Sequence, residues 1–197
     1  MVATRVVATG TDKHTAILDA ALEVFAERGV NGVAVPEIAS RAKVGTGTIY
    51  RYFSGKEALV NELYRREKLG LGLRFNASYD ETPEPKAAFE EFWRRAVAFV
   101  REKPNSYRFL EWQDHRPYMD KESRRVEQES LAPLQRGVRY WQTRGVFRDD
   151  MRAEVMMALI WGAFVNLFKA ERAGHLKLSS RDVDDAREAC WQMFCVR

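Results

Sequence analysis

Apolar residues recur at helical spacing almost from the start of this chain. Ile17, Leu18, Ala21, Leu22 and Phe25 fall at i, i+1, i+4, i+5 and i+8, one stripe of a first helix. Thr11 or Asp12 can cap its start, and Gly29 in ERGVNG ends it. A short second helix is expected from Pro36, a proline suited to a first helical position, with Ile38, Ala39 and Ala42 inward. The sequence KVGTG makes a tight break, and TIYRYF predicts a third, very short helix. Ser54 and Glu57 match an S-x-x-E capping box, which places the start of a fourth helix at Gly55 or Lys56. It should run to the mid-seventies and weaken at the glycines of LGLGL.

Asp80 to Pro85, DETPEP, reads as the clearest linker. Beyond it, Phe89, Phe92, Trp93, Ala96, Phe99 and Val100 mark one helical stripe and Tyr107 to Tyr118 another. Leu131, Leu134, Val138 and Trp141 mark a longer helix. The last two helices span Met151 to about Ala173 and about Arg181 to Phe194. With no alternating strand run and no internal repeat, the expected fold is all-α. Its expected parts are an N-terminal domain at 11–55, a connecting helix at 56–79 and a C-terminal domain at 80–197.

Composition narrows the function classes. Of 197 residues, 46% are hydrophobic and 30% charged, as in a folded globular protein. Two cysteines, five apart, cannot build a disulfide scaffold and favour a reducing compartment. The opening MVATRVVATGTDKH lacks the apolar run of a signal peptide. Val155 to Val165, VMMALIWGAFV, is too short to span a bilayer and predicts a buried helix. The chain is therefore expected to be cytoplasmic and to have no membrane partner.

The net charge of +4 leans weakly towards nucleic acid. Residues 1–60 carry seven Lys or Arg against six Asp or Glu, only +1, so a DNA-binding reading must rest on the placement of individual side chains. That placement occurs in Pro36 to Lys56, PEIASRAKVGTGTIYRYFSGK. Two short helices around a glycine-containing turn make a helix-turn-helix, whose second helix can enter a major groove. Ile38, Ala39, Val44, Ile49 and Phe53 are spaced to pack inward. Thr46, Gly47, Thr48, Tyr50, Arg51 and Tyr52 remain outward, offering hydroxyls and a guanidinium to bases and phosphates. Lys56 falls in the first turn of the next helix, where free N–H groups and the helix dipole already attract an anion.

Thr15 to Val60 resembles the DNA-binding domain of the tetracycline-repressor (TetR/AcrR) family of bacterial transcription regulators. The resemblance implies a three-helix head, an all-α ligand-binding body, a homodimer and release of DNA on small-molecule binding. It also implies that Thr46, Thr48 and Arg51 face bases while Tyr50, Tyr52 and Lys56 hold the backbone. Two positions depart from the pattern: Val35 where a hydroxyl N-cap is usual, and Gly45 where a serine is common.

Competing chemistry is thin. Tyr52 and Lys56 form the Y-x-x-x-K of short-chain dehydrogenases, but no strand–loop–helix with a glycine-rich phosphate loop precedes it. Glu111 and His115 could share a helical face and a metal, yet no third ligand is near. No nucleophile–base constellation can be assembled, so neither catalysis nor a cofactor is expected.

All five tryptophans lie in residues 85–197. Helical spacing makes most large aromatics there plain core, but such rings also wall cavities for flat or greasy ligands. The candidate wall is Phe89, Trp93, Phe109, Trp112, Trp141, Trp161 and Phe164, with His115, Glu111, Asp114 and Asn166 as polar groups that orient a ligand or serve structure alone. The last two helices are the expected homodimer surface, with Met156, Ile160, Ala163 and Leu167 on one face of the first. Met157, Trp161, Val165 and Phe168 are expected on its other face. Arg5 could reach phosphates or a minor groove. The expected function is a repressor released from a palindromic operator by a small lipophilic effector. The alternatives are an activator without one and an all-α protein adaptor.

Overall fold

The computed structural model describes residues 10–76 and 84–196. Arg5 and most of the expected linker lie outside them. The described residues form nine helices: α1 Gly10–Arg28, α2 Val35–Arg41, α3 Thr46–Tyr52, α4 Lys56–Asn76, α5 Pro85–Glu102, α6 Pro104–Glu111, α7 Lys121–Thr143, α8 Ala153–Arg172 and α9 Ser180–Phe194. Two compact units share them. One holds the chain through Lys68 together with Lys103–Val126; the other holds Leu69–Glu102 and everything from Glu127 onward.

The first unit is built on the α1 stripe. Ile17, Leu18, Ala21, Val24 and Phe25 are buried with Ile38 and Ala39 of α2, Ile49 of α3 and Leu59, Val60 and Leu63 of α4. Leu22, expected inward, is only half-buried, and Val24 takes its place. Gly29 ends α1 at φ +77°, as its position suggests. Across α6, the Phe109 ring stacks on Phe25 with centroids 6.2 Å apart. The Gln113 amide stitches the end of α1: its nitrogen donates to the Phe25 carbonyl (2.6 Å) and its oxygen accepts from Val30 N–H (3.1 Å). These contacts group residues 103–126 with the first unit.

The stripe expected as one helix from Tyr107 to Tyr118 breaks in the middle. Helix α6 stops at Glu111. Asp114 then accepts from its neighbour Arg116 N–H (3.1 Å), an Asx-type turn, and Pro117 disfavours helix at the residue before it. Glu111 and His115 therefore do not share a helical face.

The turn between α2 and α3 also differs from its sequence reading. Helix α2 begins at Val35 after Ala34, so Pro36 stands second rather than first. Its end is a complete Schellman motif: Val44 N–H bonds the Ala39 carbonyl (3.0 Å) and Lys43 N–H that of Ser40 (3.1 Å). The left-handed position is Lys43, at φ 56°, while Gly45 is extended and precedes α3. Lys43→Gly removes the Cβ strain of that conformation. It is expected to raise the unfolding free energy by about 0.5–1 kcal/mol, read by urea denaturation.

In the second unit, Phe89, Trp93, Ala96 and Phe99 of α5 and Phe164, Val165 and Phe168 of α8 are buried, and Trp93 meets Phe164 edge-on. Val138, Phe147, Ala153, Met156 and Phe194 form a further buried cluster. Helix α9 starts with a capping box made by Ser179 and Asp182, one residue earlier than its periodicity suggests. Helix α8 is 20 residues long, well beyond its apolar run, and by length and composition could cross a membrane. Its charged ends are instead tied into the unit, Glu154 to Arg139 and Glu171 to Arg101. Its faces also differ from expectation. Met156, Phe164 and Phe168 are all buried, whereas Ala158, Leu159, Ala163 and Asn166 point outward.

Candidate nucleic-acid interface

Helix α3 divides its seven residues cleanly. Ile49 is 1% exposed and Phe53, just after it, 2%, so this side packs on the head. Tyr50 is 56% exposed, Gly47 and Arg51 are exposed, and Thr46 and Thr48 are half-buried at its rim. Six of the residues singled out for DNA thus lie on one short helix that turns only Ile49 inward.

Tyr52 is the least free of them. Its ring meets His14 of α1 edge-on at 5.7 Å, and His14 in turn stacks on Phe53 at 5.2 Å and pairs with Glu62 of α4 at 2.7 Å. Tyr52 is half-buried and helps hold α3 against α1 and α4. Lys56 occupies the first position of α4, as its sequence context suggests, and is half-buried.

Electrostatics separate the reading face from the rest of the unit. Arg28 pairs with Glu37, Arg41 with Glu23 (2.8 Å) and Glu27, Arg65 with Asp120 (3.0 Å) and Arg66 with Asp19 (2.7 Å). The hydrogen bond that Arg41 donates to Glu23, reinforced by the charge of Glu27, holds its guanidinium above its ordinary pKa. Among the described residues Arg51 and Lys56 have no ion pair. Their charge remains available to an outside anion, and no repulsive carboxylate is anchored to them. The weak net charge of the head therefore understates the character of this face.

Residues 17–63 match the family described as "Bacterial regulatory proteins, tetR family", and residues 70–196 match "Tetracyclin repressor-like, C-terminal domain". The chain belongs to the TetR family. It is a ligand-responsive, DNA-binding transcriptional regulator, with the helix-turn-helix at α2–α3. A fatty acid metabolism regulator protein of Bacillus subtilis is 40% identical over 79 residues, which span 40% of this chain and 39% of that protein's length. A TetR-family transcription regulator from Marinobacter aquaeolei shares the fold at TM-score 0.84, with 18% identity over 95% of this chain and 97% of that one. FadR from Bacillus subtilis, solved in complex with stearoyl-CoA, superposes at TM-score 0.70 with 21% identity, covering 91% of this chain and 96% of that one.

The expected ligand wall of this TetR-family chain is divided. Phe89, Trp93, Trp161 and Phe164 lie together in the second unit; Phe164 stacks on Trp161 at 5.3 Å and meets Trp93 edge-on at 5.2 Å. Trp141 packs instead on the cluster around Met156 and Phe194. Phe109, Trp112 and His115 belong to the first unit. There Phe109 is fully buried, and His115 is 6% exposed with Nε2 bonded to the Phe109 carbonyl at 2.5 Å. Trp112 meets Tyr107 edge-on under the Arg108 guanidinium, and burial pushes the Tyr107 hydroxyl up to about 12. Asn166 is exposed and donates to the Gly162 carbonyl of its own helix at 2.9 Å.

Sequence reasoning missed a polar knot in the first unit. Asn61 on α4 is 5% exposed, and its amide nitrogen donates to the carbonyls of Tyr118 (2.7 Å) and Glu57 (3.0 Å). Its oxygen accepts from Asp120 N–H (2.9 Å) and the Ser123 hydroxyl (2.7 Å). Arg65 donates to Asp120 and to Ser123 (3.1 Å). The available signal was a lone asparagine among Leu59, Val60, Leu63 and Tyr64, polar where the helix is otherwise apolar.

Proposed function

We propose that the chain acts in the cytoplasm as a homodimeric repressor that occupies a palindromic operator and leaves it when a lipophilic effector binds. The observation that carries the operator reading is the outward face of α3, where Thr46, Thr48, Tyr50 and an unpaired Arg51 surround the exposed Gly47. Thr46, Thr48 and Arg51 address base edges, and Tyr50, Tyr52 and Lys56 hold phosphates. Two such heads meet half-sites about 34–36 Å apart, or a multiple of that spacing.

The dimer uses α8 and α9. Leu159 (44% exposed) and Met193 (44%) leave apolar surface uncovered on these helices, and Ala158 and Ala163 keep the α8 face flat enough for close helix packing. Leu159→Glu is expected to yield a monomer in sedimentation and to abolish high-affinity operator binding while leaving the helical spectrum intact. A dimer of unchanged stability would rule out this surface.

The effector reading rests on the ring cluster of the second unit and on the stearoyl-CoA held by the FadR neighbour of the same fold. A lipophilic acyl compound binds the second unit and favours an arrangement of the chain that the operator disfavours. Each ligand must then weaken the other by the same factor. The decisive experiment is a gel shift with DNA flanking the chain's own gene, repeated with acyl-CoAs, free fatty acids, sugars and metal salts. The proposal expects a discrete complex dissolved only by lipophilic compounds; release by sugars or metals alone would overturn the effector class.

A further inference from the structure

We infer that the indole N–H of Trp93 is the polar anchor of the effector site, donating a hydrogen bond to the neutral carbonyl oxygen of an acyl ligand whose chain lies along Phe89, Phe92, Trp161 and Phe164. The inference rests on the lipophilic-effector reading above and adds the atom that orients the ligand. Trp93 is 2% exposed, yet its Nε1 has no acceptor among the described residues. A buried tryptophan N–H nearly always finds a partner, because stripping it of water without one is unfavourable.

In the same unit the Gln142 amide donates to the carbonyls of Arg148 (2.9 Å) and Met151 (2.7 Å). Two aromatic rings pack on Trp93: Phe89, tilted, at 6.1 Å and Phe164, perpendicular, at 5.2 Å. A π face is a far weaker acceptor than a carbonyl oxygen. The cluster continues outward through Phe164 to Trp161 (5.3 Å) and Phe92 (6.4 Å from Trp161), both half-buried. It therefore runs from a wholly enclosed donor to a partly open aromatic edge, a gradient suited to a long apolar body with one acceptor.

The surroundings also select the kind of oxygen. Arg94 and Arg95, next in sequence, are engaged by Glu91 at 2.6 Å each. A carboxylate beside Trp93 would meet one N–H donor among aromatic rings, a costly burial for a charge. A neutral thioester or ester carbonyl needs only the single bond that Trp93 can give.

The test compares three ligands by calorimetry on the full-length protein: stearoyl-CoA, its thioether S-octadecyl-CoA, which lacks only the carbonyl oxygen, and stearate. The wild type is expected to bind the thioester about tenfold more tightly than the thioether, as one buried hydrogen bond implies, and stearate more weakly than the thioester. Trp93→Phe should erase the thioester–thioether difference while retaining thioether affinity. Independently, the assigned Trp93 indole N–H resonance of the wild type should move with the thioester and not with the thioether, a readout that survives should the variant fail to fold. Equal wild-type affinities for thioester and thioether, a difference that persists in Trp93→Phe, or an unmoved indole resonance would each overturn the role of Trp93 and leave the lipophilic reading standing. Binding of none of the three would overturn both.

Discussion

Asn61→Ala is expected to destabilise the protein by about 2–4 kcal/mol, since each buried polar group left without its partner costs about 1–3 kcal/mol. The variant removes four hydrogen bonds at once, to the carbonyls of Glu57 and Tyr118, the Asp120 N–H and the Ser123 hydroxyl. Ser123 is wholly buried, so water cannot substitute without opening the structure. Chemical denaturation should show a lower midpoint, and hydrogen exchange should show the Asp120 amide opening first. A loss below about 0.5 kcal/mol, the range of ordinary surface substitutions, would mean that the knot is not a structural constraint.

The same knot predicts the direction of acid sensitivity. Burial pushes the Asp120 carboxyl up, but hydrogen bonds from Ser123 and Arg65 outweigh it and bring the group below its ordinary 3.8. Its contribution is full above the unfolded value and fades as pH falls through the lower folded one. The part of the stability owed to Asp120 should therefore disappear only below about pH 4. In an Asp120→Asn variant that acid-dependent part should be missing.

Arg51→Ala should cost about 1–3 kcal/mol of operator binding, roughly ten- to a hundredfold, and relax discrimination at a single base step. Lys56→Ala should instead weaken all DNA sequences alike and lower the salt-dependence slope by about 0.9, one phosphate's share of released counterions. Among the described residues neither cation has an ion pair, so neither change should disturb folding by more than about 0.5 kcal/mol. Anisotropy titrations on operator and scrambled duplexes, at several salt concentrations, separate the two outcomes. Unchanged operator selection by Arg51→Ala would remove its base-reading role.

The reading helix was legible because its signals are local. Ile49 and Phe53 lie four apart and turn inward together, and between them stand Tyr50, Arg51 and Tyr52, which end in hydroxyls and a guanidinium. The α2–α3 turn was legible in place but not in mechanism. The sequence marks only a tight break at KVGTG, whereas the structure makes Lys43 the left-handed residue, fixed by the Schellman bonds to Ala39 and Ser40. The ligand wall was the least legible part. Phe89 and Phe109 look alike in a list of spaced aromatics, yet Phe109 is committed to Phe25 of the head and Phe89 to the second unit.

By itself the sequence determined an all-helical chain, a helix-turn-helix near its start and which side chains of α3 stay outward. Helical period, capping residues and inward apolar spacing act within a few residues of one another, so they can be read from order alone. Only the tertiary structure decided that residues 103–126 join the head, that Asn61 ties α4 to the segment entering α7, and that Trp93 is enclosed without an acceptor. Each of these depends on which distant groups meet: a carbonyl supplied 57 positions away in one case, the rings packed on Trp93 in the other. No local pattern encodes such partners, because burial and hydrogen bonding are properties of the assembled neighbourhood rather than of the chain.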